Sequence, residues 1–74
     1  MRENINEALE RIPAVSSTTL VNAFGIVYLI IDTRGSLILR DSLRKITTIC
    51  NDYDFMLFSI EIELEHLQII FIKE

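Results

Sequence analysis

Seventy-four residues and 8.6 kDa allow a single domain, residues 1–74, with a folded surface of roughly 4,700 Å² and no room for a second core. Half of the residues are apolar, 24% are charged, and Gly plus Pro number three, which excludes disordered, collagen-like and low-complexity classes. Eleven carboxylates against seven Lys and Arg leave a formal charge of −4, so the broad attraction to phosphate on which nucleic-acid binders rely is missing.

The first segment reads as a helix. Ile5, Ala8, Leu9 and Ile12 recur at spacings of three and four, with Glu3, Asn6, Glu7 and Glu10 turned away. Asn4 is placed to cap the first turn, and Glu7 can reach back in a capping box. Pro13 ends the helix by disfavouring the α conformation at Ile12, and Glu7 with Arg11 forms an i,i+4 pair. Residues 14–24 are ambiguous. Ser17 or Thr18 could cap a short helix carrying Leu20, Ala23, Phe24 and Val27, whereas Thr18, Thr19 and Val21 suit a strand or irregular structure.

Ile26 to Ile31 is a β-branched run, and Asp32-Thr33-Arg34-Gly35 reads as the turn of a hairpin returning through Ser36 to Arg40. Asp41 or Ser42 then caps a second helix of about a dozen residues, with Leu43, Ile46, Ile49, Cys50 and Tyr53 on one face. From Phe55 the period becomes two: Met56, Phe58, Ile60, Ile62 and Leu64 point inward, and Leu57, Ser59, Glu61, Glu63 and Glu65 outward. A reversal near Glu65 and His66 leads to a last strand, Leu67 to Lys73, with Ile69 and Phe71 on one face and Ile70 and Ile72 on the other. The expected fold is α+β, in the order helix, hairpin, helix, hairpin, on one mainly antiparallel sheet.

Two strands, 26–31 and 67–72, are apolar on both faces, the pattern of strands covered on each side. Two helices totalling about 22 residues leave part of a four-stranded sheet bare, and a second copy burying ~800 Å² per partner is the economical cover. The competing expectation is a monomer whose own segments cover both faces.

Candidate chemistry is sparse. Glu61, Glu63 and Glu65 place three acids about 6.5 to 7 Å apart on one strand face, which suits a solvated face or an acidic patch for a basic partner better than a metal site, since one strand splays its oxygens. Asn51-Asp52-Tyr53-Asp54 lacks the glycine and distal glutamate of a calcium loop. His66 sits at a hairpin without a spacing that marks a nucleophile and base, and Cys50 reads as a small core residue or an interface thiol. A single cysteine closes no internal disulfide and builds no structural zinc site. Gly25 and Gly35 fit neither a Rossmann nor a Walker spacing. Arg34, Arg40, Arg44 and Lys45 form the only basic grouping, without the aromatic run of a nucleic-acid surface. No catalytic, cofactor or metal residues are therefore expected. The longest aliphatic block, Phe24 to Ile31, is too short to span a membrane and no secretory leader is visible, so the expected location is the cytoplasm.

Leu9-Glu10-Arg11-Ile12-Pro13-Ala14-Val15, followed by Gly25 to Ile38 with its Asp32-Thr33-Arg34-Gly35 turn, resembles the opening of roadblock dynein light-chain domains, which are profilin-like. The resemblance spans the first half of the chain. It implies pairing through the middle helix and the following strand, as a platform for small GTPases, motors or polarity systems. On this chain that surface includes Leu43, Thr47, Cys50, Phe55, Leu57 and Ser59. The chain departs from the family pattern in the ten residues between Val15 and Ile26, a shorter central helix, and the absence of a third helix or fifth strand. The resulting expectation is a homodimerising adaptor or regulatory subunit without chemistry of its own, partnered by a further protein. The alternative is a small acidic inhibitor or antitoxin of the kind mobile elements encode, gripping a target enzyme through Glu61, Glu63 and Glu65.

Overall fold

The computed structural model describes residues 3–74. The described residues form six elements: α1 (Ile5–Glu10), β1 (Val15–Ala23), β2 (Ile26–Thr33), α2 (Arg40–Asp52), β3 (Met56–Ile62) and β4 (Leu67–Lys73). The fold is α+β in the expected order, on one four-stranded antiparallel sheet with strand order β1-β2-β4-β3.

The capping expectation at α1 holds. Asn4 is extended, and its Oδ1 accepts the Glu7 backbone N–H at 2.9 Å. Glu7 answers with its carboxylate, which accepts from the Asn4 side-chain amide at 3.1 Å instead of from the backbone. Arg11 lies just past the last helical residue, and its guanidinium donates to Glu3 at 2.9 Å rather than pairing with Glu7. That pair is exposed and contributes little.

The ambiguous stretch is a strand, and this relocates the first hairpin. β1 pairs with β2 from Val15↔Thr33 to Ala23↔Ile26. The connection is the two residues Phe24 and Gly25, both with positive φ (54° and 78°), the signature of a primed turn whose twist matches the flanking strands. Asp32 and Thr33 are consequently part of β2, and Ser36 to Arg40 is not a return strand: 36–39 form a loop and Arg40 begins α2. Gly35, at φ 112°, turns the chain there and bridges to His66. Thr33 fixes this crossing. Its buried hydroxyl donates to the Gly35 carbonyl at 2.7 Å and accepts the Leu67 backbone N–H at 2.9 Å.

Both helices lie on one face of the sheet. Ile5 and Leu9 of α1 and Ile46 and Cys50 of α2 pack with Leu29 and Ile31 of β2 and Ile69 and Phe71 of β4 into one core, joined by Ile12, Val15 and Phe55. The N-cap position of the second helix is Leu39, so no side-chain cap comes from Asp41 or Ser42, and its predicted apolar face is the one that faces the sheet.

β3 corrects a further expectation. A bulge between Leu57 and Ser59 breaks the alternation, so Met56 and Phe58 do not share a face with Ile60 and Ile62. Leu57, Ile60 and Ile62 pair with Phe71, Ile69 and Leu67 and so face the helix layer. Met56 and Ser59 pair with Ile72 and Ile70 and face away. None of the seven β3 residues is buried.

Candidate interaction surface

With both helices on one side, the other face of the sheet has no cover from the described residues. The register places Tyr28 opposite Ile72 and Ile30 opposite Ile70 across the two central strands, so four large apolar side chains form the middle of this outer face, all of them half-buried. Val21, paired with Tyr28 from β1, extends the patch on one side. Met56 and Phe58, 62% and 61% exposed, extend it on the other. The Phe58 ring meets Tyr28 edge to face, with centroids 6.4 Å apart at 81°. This patch runs across all four strands, and soluble monomers rarely leave so continuous an apolar surface in water.

A polar group closes one end of the face. Asp32 is its centre: one carboxylate oxygen accepts from the Ser17 hydroxyl at 3.2 Å, and the other accepts from the Gln68 amide at 3.4 Å and lies 3.4 Å from His66 Nε2. These residues, with Arg34 and Glu65, line a shallow cleft of about 690 Å³. The Ser17 hydroxyl is engaged by the carboxylate and not by the imidazole, which is the wrong order for activating a nucleophile. The group ties β1, β2 and β4 together at the sheet's end. A second, larger groove of about 810 Å³ runs between α1 and α2, bordered by Pro13, Arg11, Arg44, Lys45 and Ile49. Among the described residues no three His, Cys, Asp or Glu side chains converge as metal ligands would.

The residues singled out as a pairing surface are separated by the fold. Cys50 and Phe55 are buried in the chain's own core, at 0% and 7% exposure, and offer nothing to a partner. Leu43 and Thr47 are half-buried on α2, where the Thr47 hydroxyl donates to the Leu43 carbonyl at 2.9 Å. Leu57 faces the helix layer and is 49% exposed, while Ser59 lies on the outer face, its hydroxyl buried without a hydrogen-bond partner. The acidic ladder is broken as well. Pairing of β3 ends at Ile62↔Leu67, so only Glu61 is in the strand, while Glu63 and Glu65 belong to the turn closed by the Glu63 N–H on the His66 carbonyl at 2.9 Å. All three carboxylates are exposed.

Burial pushes the Cys50 thiol up to about 12 from 9.0, because the thiolate would be desolvated. The folded state thus holds a proton that the unfolded chain loses above about pH 9. Stability attributable to this group is intact below that pH and declines as pH rises toward 12. A thiol reagent at neutral pH is expected to modify the native chain only as fast as it unfolds, and rapid modification would contradict burial.

Tyr28, Ile30, Ile70 and Ile72 were legible as an apolar surplus, whereas the Asp32, Ser17, His66 and Gln68 group was not, because it draws on three segments far apart in sequence. No protein-family model, curated protein or solved structure matches this chain.

Proposed function

We propose that this chain is a non-enzymatic interaction domain that works as a homodimer, with a second copy seated on the outer face of the sheet, and serves as an adaptor or regulatory subunit. The observation that carries the reading is the placement of Tyr28, Ile30, Ile70 and Ile72 on central strands, opposite the face that both helices cover. The molecule is a slab of 30 × 28 × 16 Å, so one broad face has the dimensions of a standard interface, ~800 Å² per partner. Its accessible surface is 5124 Å², against roughly 4,700 Å² expected for a compact monomer of this mass. A two-fold axis in the plane of the face sets each apolar centre against its own copy, which is the self-complementarity that a symmetric dimer requires.

An inhibitor or antitoxin role shares the non-catalytic character and would place the acidic end of β3 against its target. No helix among the described residues is long and apolar enough to cross a membrane, and a cytoplasmic location belongs to this proposal, as does the absence of nucleic acid among its partners.

A dilution series followed by amide and methyl chemical shifts tests the reading. The expected result is concentration-dependent change confined to Val21, Tyr28, Ile30, Met56, Phe58, Ile70 and Ile72. Shifts independent of concentration, at a tumbling time appropriate to one chain, would overturn it, and so would changes confined to the helix layer.

A further inference from the structure

The two edges of the sheet are unequal. β1 carries Ser16, Ser17, Thr18, Thr19 and Asn22 along its length and is backed by α1, whereas β3, Met-Leu-Phe-Ser-Ile-Glu-Ile, holds one charge and no proline or lysine. An edge strand exposes a row of unpaired backbone N–H and C=O groups, and natural edges are usually blunted by charge, proline, brevity or a covering element. β3 has almost none of these. Its bulge lies near one end, between Leu57 and Ser59, and leaves the run from Ser59 to Ile62 in regular register with β4.

A second copy on the outer face would cover Met56 and Phe58 but not the other side of this strand. Leu57, Ile60 and Ile62 face the helix layer, yet α2 does not extend over them, and they remain 49%, 43% and 79% exposed. The strand thus presents a free backbone edge beside an apolar ledge. At its far end stand Glu61, Glu63 and Glu65, exposed carboxylates of which none is in an ion pair among the described residues.

We infer that the β3 edge is a docking site for an extended segment of a partner protein, which adds a fifth strand to the sheet. The segment has apolar side chains at alternate positions, to lie on the Leu57, Ile60 and Ile62 ledge, and Lys or Arg where it passes Glu61, Glu63 and Glu65. Backbone pairing gives such a complex its affinity, while alternate side chains and charge give it selectivity. The inference extends the interaction-domain reading by naming the partner's chemistry, and it does not depend on the dimer. A dimer paired through the outer face would carry two such edges.

The test uses the full chain, isotope-labelled, and two synthetic peptides of the same alternating apolar sequence, one ending in Lys residues and one in Glu. The basic peptide is expected to shift the amides of 57–63 and slow their hydrogen exchange, to leave β1 unchanged, and to bind more weakly as salt rises. The acidic peptide is expected to bind at least tenfold more weakly. Glu61→Lys with Glu63→Lys, both at exposed positions, should invert this preference without moving the thermal melt. Equal binding of the two peptides, shifts confined to the outer face or to the groove between the helices, or no shift at millimolar peptide would each overturn the inference. Protection of the amides of Ile60 to Ile62 that grows with protein concentration in the absence of peptide, beyond the change at Met56 and Phe58 that an outer-face dimer brings, would also overturn it, by identifying a second copy paired along this edge as the occupant. Loss of the outer-face dimer with β3 binding retained would sink the dimer alone.

Discussion

Replacing Phe71 with Ala is expected to lower the folding free energy by about 3–5 kcal/mol. Phe71 is the largest fully buried side chain, at 0% exposure on the central strand β4, and it lies between Leu29 and Leu57 in the sheet register. Removing the ring forfeits its transfer free energy and leaves a cavity that rigid strands on either side cannot close. A chain of this length has about 4–11 kcal/mol in hand, so the variant should be largely unfolded or melt far below the parent. Phe58→Ala supplies the contrast, since a ring that is 61% exposed on β3 should matter to the isolated fold by about 1 kcal/mol or less. Urea unfolding of both variants checks the difference. A loss below 1 kcal/mol for Phe71→Ala would mean that the core is not where the structure puts it.

Ile70→Lys should do the opposite: leave the fold and abolish the pairing. Ile70 is half-buried at the centre of the outer face, opposite Ile30 and Ser59. In a single chain a lysine there can run its stem along the sheet and keep its ammonium in water. Beneath a second copy the same charge would be desolvated without a partner, a loss on the scale of an interface hot spot, about 2–4 kcal/mol or roughly thirtyfold to a thousandfold in Kd. Sedimentation equilibrium reads the change in mass, and circular dichroism verifies that the fold persists. Glu10→Lys, at an exposed position at the other end of α1, is expected to alter neither. A dimer undiminished by Ile70→Lys would place the interface elsewhere.

What the sequence discloses follows from where period and burial coincide. α1, α2 and β4 were legible because Ile5, Ala8 and Leu9, then Ile46 and Cys50, then Leu67, Ile69 and Phe71 recur at the spacing of their element and are the residues that become buried. β1 was not legible as one structure, because an edge strand of hydroxyl residues has no apolar period, and Phe24 gives no sign that it will accept a φ of 54°. Its omission moved the hairpin onto the Asp32-to-Gly35 turn signals, which serve instead at the crossing that Thr33 clamps.

β3 shows a subtler failure. The alternation from Met56 to Ile62 is real, but the bulge after Leu57 exchanges the two faces part-way along, and no residue type in Leu57-Phe58-Ser59 announces it. The surplus of apolar surface survived these errors, because it depends on how many strands are apolar on both sides and not on which hairpin joins them. The polar group around Asp32 depends wholly on that pairing, and it came into view only with the register.

Light scattering coupled to size-exclusion chromatography of the native chain bears most directly on the idea that its uncovered sheet face is closed by a twin. The expected mass is twice 8.6 kDa, falling toward that of one chain as the protein is diluted. A mass of 8.6 kDa at every concentration would contradict it.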